Sequence, residues 1–131
     1  MTKFQFNINY KTTLGCKVAV VGSCKELGEW QHGILMTWTS GNNWRCEVEI
    51  TNVPFEYKYQ ITDERGNVFV WEATQNRLVQ TTGLIDQSQP KIASIAVSDV
   101  WEQPSNTHFE LKKKENPIGL RRANSKEWDR N

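Results

Sequence analysis

The chain has 131 residues, enough for one domain with its own hydrophobic core. With 16 Lys and Arg against 15 Asp and Glu, its formal net charge is +1, which gives no electrostatic reason to expect nucleic acid or an anionic membrane as partner. Mean hydropathy is −0.65, and no apolar run approaches the roughly 20 residues that a membrane span requires.

Taken in chain order, the pattern is that of strands. Phe4, Phe6, Ile8 and Tyr10 alternate with polar residues, and this N-terminus lacks the apolar block of a secretory signal. VAVVG at 18–22 is a continuous apolar run, as expected of a strand covered on both sides. Residues 25–28 have room for one short turn. The turn residues SGNN at 40–43 precede a second alternation, Trp44, Cys46, Val48 and Ile50. A third follows in Phe55, Tyr57, Tyr59 and Ile61, and DERGN at 63–67 reads as a hairpin loop after it. SIAV at 94–97 reads as a late strand. Short strands, frequent turns and the absence of a helical period before residue 110 predict an all-β antiparallel, immunoglobulin-like β-sandwich of about seven or eight strands over 1–102.

From Gln103 the composition changes. Pro104, Pro117 and the run Lys112-Lys113-Lys114 predict a polar linker or flexible tail over 103–131, its basic cluster solvated and not a nucleic-acid site. Phe109, Leu111 and Trp128 are the residues through which it could pack back.

Cys16, Cys24 and Cys46 are odd in number and form no C-x-x-C pair, so reduced thiols and a cytoplasmic location are expected. His32 and His108 are isolated and no cluster has ligand spacing, so neither a metal nor another cofactor is expected. No glycine-rich phosphate loop, no G-x-S-x-G and no marked carboxylate pair occurs, which argues against catalysis.

Four segments hold residues that need a reason to be there: VGSCKELGEW at 21–30, FEYKY at 55–59, VWE at 70–72 and NR at 76–77. Trp30 follows a tight turn at Gly28 and is either a core plug or a partly exposed indole, whose flat face suits the C–H groups of a pyranose ring. If Tyr57 and Tyr59 point inward, Lys58 points outward with Glu56 and Gln60, as a solvated lysine or as a donor to a ligand. Trp71 and Glu72 are adjacent, so both reach one ligand only where the strand ends or bends. Asn76 offers a donor and an acceptor to vicinal hydroxyls, and Arg77 reads as a structural ion-pair residue. Two indoles, an ammonium, a carboxylate and a carboxamide suit a sugar.

The order and spacing of these four segments resemble the starch-binding domain of carbohydrate-binding module family 20, along about a hundred residues. The resemblance implies one carbohydrate-binding site built from Trp30, Lys58, Trp71, Glu72 and Asn76, with Lys58 bonding a sugar hydroxyl. The family's second site uses two tyrosines and a tryptophan. Trp44 matches the tryptophan, but Leu14 stands at the first tyrosine position and Thr39 or Ser40 at the second. Trp38 is a replacement aromatic, and Glu56 is a weak addition to that second site.

The implied function is non-catalytic binding of α-1,4-linked glucan (starch, amylopectin or glycogen), anchoring an attached catalytic domain or partner activity to the polysaccharide. The alternative is a protein-interaction β-sandwich that uses exposed tryptophans as a partner interface.

Overall fold

The N-terminal alternation becomes strand β1 (Thr2–Asn9), whose Phe4, Phe6 and Ile8 are buried while their polar neighbours stay nearer solvent. It appears in a computed structural model that describes residues 2–80 and 92–113. Nine further strands follow among the described residues: β2 (Lys17–Gly22), β3 (Ile34–Leu35), β4 (Thr37–Thr39), β5 (Asn43–Ile50), β6 (Phe55–Thr62), β7 (Val68–Trp71), β8 (Arg77–Val79), β9 (Ile92–Val100) and β10 (Gln103–Lys113). A short 3-10 turn, Lys25–Trp30, takes the place of the turn expected near residue 25.

The strands form two five-stranded sheets, in the orders β10-β9-β1-β5-β4 and β3-β2-β6-β7, with β8 pairing the first half of β6 alongside β7. All pairs are antiparallel except β1 with β9, which run parallel. The expected sandwich is therefore present. It has more strands than expected because β3 and β4 are very short and β10 is additional.

Its core is aromatic. Phe4 meets Phe55 edge-on at 5.3 Å, and Phe6 meets Tyr57 at 5.2 Å, ring centre to ring centre. Val18 and Val20 of β2 enter the same core. The segment that follows β2 packs tightly against its end. A Cβ on Gly22 would lie 2.5 Å from the Glu56 carbonyl oxygen and 2.7 Å from Leu27 Cδ1, so only glycine admits this close approach.

The start of the polar tail differs from the sequence expectation. Residues 103–113 form β10 and pair with β9, His108 opposite Ser98 and Leu111 opposite Ile95. Phe109 packs against the core cluster, as the tail's own apolar residues allowed, whereas Leu111 stays exposed. An edge strand keeps one face in solvent, so its composition is polar enough to pass for a linker. Trp128, Lys114 and the rest of the expected tail lie outside the described residues.

Candidate functional site

Strand β6 organises the site. Tyr57 and Tyr59 are fully buried, so alternation turns Glu56 and Lys58 to the other face, where Glu56 is exposed and Lys58 half-buried. The register sets their neighbours. Gln60 lies opposite Trp71 of β7, Glu56 opposite Leu78 and Tyr57 opposite Arg77 of β8, which brings Asn76 level with Lys58.

Trp71 is 44 % exposed. Trp30 is half-buried and lies beside it, the two indoles 6.4 Å apart between centres and tilted by 40°. The segment holding Trp30 is unusual in its backbone: Gly28, Glu29 and Trp30 take φ of 84°, 51° and 65°. Left-handed conformations at two non-glycine residues in succession cost on the order of 1–3 kcal/mol each, and such outliers gather at binding sites. Here the turn sets the Trp30 indole beside that of Trp71. The arrangement offers two flat apolar faces at an angle, with the Lys58 ammonium and the Asn76 carboxamide on the same side of the sheet. The Asn76 Nδ2 donates to Glu56 Oε1 at 2.8 Å.

Glu72 is not with them. It is 1 % exposed and points to the opposite side of the sheet from Trp71, into a buried polar network. Arg77 makes an ion pair with it through Nη2, while Nε donates to Oε1 at 3.2 Å. Both carboxylate oxygens also accept backbone N–H groups, Oε1 from Tyr59 at 3.2 Å and Oε2 from Glu102 at 2.6 Å. The expected sugar contact through this carboxylate is corrected to a structural role, because every acceptor faces the interior and is partnered. Arg77 bridges onward to Asp99 Oδ1 at 3.1 Å, and Asp99 Oδ2 accepts the hydroxyls of Tyr57 at 2.8 Å and Tyr59 at 2.6 Å. Burial opposes the charge on Arg77, yet the hydrogen bond to Glu72 and the charge of Asp99 outweigh it and hold the guanidinium above its ordinary value. Arg77 thus has the structural role expected of it. Burial, then the Asp99 charge, pushes both tyrosine hydroxyls well above the usual range.

Of the second candidate site, Trp38 and Trp44 are cross-strand neighbours, while Glu56 lies apart. Trp44 is 4 % exposed, belongs to the core and donates its indole N–H to the Tyr10 carbonyl at 3.0 Å. It is a core residue and not an open platform. Trp38, opposite it in the register, is 53 % exposed and donates to Asn42 Oδ1 at 3.1 Å. Leu14 is fully exposed. Both indoles border a hollow of about 290 Å³. Glu56, assigned to this second site, lies instead on β6 of the other sheet and partners Asn76. Its position was legible in the alternation of FEYKY, which turns it the same way as Lys58.

Among the described residues, no group of three or more His, Cys, Asp and Glu could hold a metal ion.

A family model described as starch binding domain matches residues 1–90. The family 20 carbohydrate-binding module of the maltotetraose-forming amylase from Pseudomonas saccharophila STB07 is similar over 76 % of this chain and 100 % of its own, with a TM-score of 0.58 and 21 % identity. The family 15 glucoamylase from Hypocrea jecorina is similar over 78 % of this chain at a TM-score of 0.64 and 20 % identity, and this chain spans 17 % of its length. The γ-CGTase from alkalophilic Bacillus clarkii gives 0.63 and 24 % identity, over 78 % of this chain and 15 % of its own. At these identities the likeness is one of fold.

Proposed function

This chain belongs to the starch binding domain family, and from that premise we propose that it binds α-1,4-linked glucan without catalysis, stacking successive glucose rings on Trp30 and Trp71. What carries this reading is the tilted indole pair, 6.4 Å apart and outside the core. The inner side of a curved α-glucan presents neighbouring rings at an angle, and two tilted faces suit that curvature better than one flat surface. Lys58 donates to a sugar hydroxyl, and Asn76, held by Glu56, supplies both a donor and an acceptor. Glu72 acts one layer below. It fixes the end of β7 through Arg77 and the Glu102 N–H, and so orients Trp71.

Such a site is weak. Sugar hydroxyls exchange bonds to water for bonds to protein with little net gain, which places affinity on the order of micromolar to millimolar. A weak anchor is useful when attached to a second activity, and we assign it that role beside an attached catalytic domain. All three cysteines are free, which supports a reducing compartment and with it an intracellular glucan such as glycogen.

Retention on insoluble starch, with release by β-cyclodextrin or maltoheptaose, tests the reading. Failure of the wild-type domain to be retained on starch or glycogen would refute it. Retention on glycogen as strong as on starch supports glycogen as a ligand.

A further inference from the structure

One groove borders the indole site without belonging to it. It lies along the side of the sandwich, where β8 at the edge of one sheet faces β10 at the edge of the other, and it has a volume of about 420 Å³. Its walls are Gln75, Asn76 and Leu78 from the β8 side and Pro104, Ser105 and Phe109 from β10. The two edges are tied together at its floor, where Arg77 Nη1 donates to Thr107 Oγ1 at 3.2 Å and Nη2 to the Val100 carbonyl at 2.8 Å.

We propose that this groove is an extension of the glucan-binding surface, which takes the rings of the chain that run past Asn76. The inference rests on the glucan reading and deepens it. Three observations carry it. Asn76 belongs to both places, since it lines the groove and donates its Nδ2 to Glu56, so the groove adjoins the indole site. Its chemistry repeats that of the site in miniature: apolar faces on Leu78, Pro104 and Phe109, and amide or hydroxyl groups on Gln75, Asn76 and Ser105 that match sugar hydroxyls. Leu78 is 48 % exposed and the Gln75 and Ser105 side chains are exposed too, so these groups are open to a ligand.

The spacing favours a long ligand. Trp71 lies opposite Gln60 and Leu78 opposite Glu56, a separation of about 13 Å at the usual rise of about 3.3 Å per residue. Rings stacked on Trp30 and Trp71 therefore do not reach Leu78, whereas a longer chain does. The β10 wall comes from residues beyond 1–90, the part matched by the family model, so this extension belongs to this chain's own C-terminal strand.

The test is a titration of the domain with maltotriose and with maltoheptaose, for the wild type and for the variants Leu78→Ala and Gln75→Ala. Both substituted side chains are exposed, and unchanged far-ultraviolet circular dichroism verifies the fold. The wild type should bind maltoheptaose more tightly than maltotriose. Each variant should bind maltotriose as the wild type does and maltoheptaose about threefold to tenfold more weakly. The backbone amide resonances of Ser105 and Thr107 should shift with maltoheptaose and stay in place with maltotriose. Unchanged maltoheptaose affinity in both variants, or equal losses for the two ligands, would overturn the groove while leaving the indole site intact. A wild type that binds neither ligand refutes the glucan reading itself.

Discussion

Trp71 and Glu72 are chain neighbours that face opposite sides of one sheet: the indole is 44 % exposed and the carboxylate 1 %. One meets solvent and Trp30, the other meets Arg77 and two backbone N–H groups. Binding and stability are thus divided between adjacent residues, and substitutions separate them.

Trp30→Ala and Trp71→Ala should each remove measurable retention on starch while the domain stays folded. Each deletes one stacking face, worth about 1–3 kcal/mol by analogy with bases stacked on aromatic side chains. Co-sedimentation with insoluble starch and thermal melting measure the two effects. Two folded variants that bind like the wild type would remove the indole pair from the site.

Glu72→Ala should act on stability first. It leaves Arg77 buried beside Asp99 with its other partner gone, and breaking a buried ion pair from one side costs about 3–5 kcal/mol. Lys58→Ala should do the reverse, weakening starch retention with little change in the urea midpoint, because its side chain lies on the outward face of β6. If Glu72→Ala melts like the wild type and binds worse, the carboxylate is a ligand contact after all.

Trp44→Ala should destabilise the domain by about 3–5 kcal/mol, as expected for deleting a buried tryptophan. Trp38→Ala should change stability by less than about 0.5 kcal/mol and leave maltoheptaose binding intact, since one site per chain is expected. A crystal soaked in oligosaccharide with sugar against Trp38 would overturn the single site.

Stability should fall in alkaline solution. Burial, then the Glu47 charge, pushes the Cys46 thiol up to about 12, and the Tyr57 and Tyr59 hydroxyls are also raised. In the unfolded chain these groups ionise near about 8.5 and 10. The folded protein therefore holds protons that the unfolded chain releases. The stabilisation is full below the unfolded values and is lost as pH rises towards the folded ones. Urea midpoints from about pH 7 to about pH 11 should fall, and Cys46→Ala should flatten the first part of the decline. A midpoint independent of pH would contradict this.

Much of this was legible in the residues. Period-two alternation marks β1, β5 and β6 directly, and in FEYKY it also fixes which way Glu56 and Lys58 turn. Glu72 was not legible, because its direction depends on partners supplied from elsewhere: Arg77, and the backbone at Glu102. Its adjacency to Trp71 hinted at the opposite face, but the counter-ion that settles burial comes from outside the segment. Trp44 had the same ambiguity, and its burial follows from its position opposite Ile8 of β1. The signal for β10 was present but faint. Thr107 and Phe109 are half-buried while Asn106, His108 and Glu110 are exposed, an alternation masked by the prolines and lysines around it.

The parallel pairing of β1 with β9 sets a timetable for synthesis. Residues Lys3 to Asn9 find their partners at Ser94 to Val100, so one edge of β1 stays open until β9 has left the ribosome. At about 5–20 residues per second, that wait is about 5–20 s. A chain cut after residue 90 would keep Trp30, Lys58, Trp71 and Asn76, yet lose Ile95 and Val97 from the core and Asp99 from beneath the two tyrosines. Strand β9 decides whether the platform built by the strands before it persists.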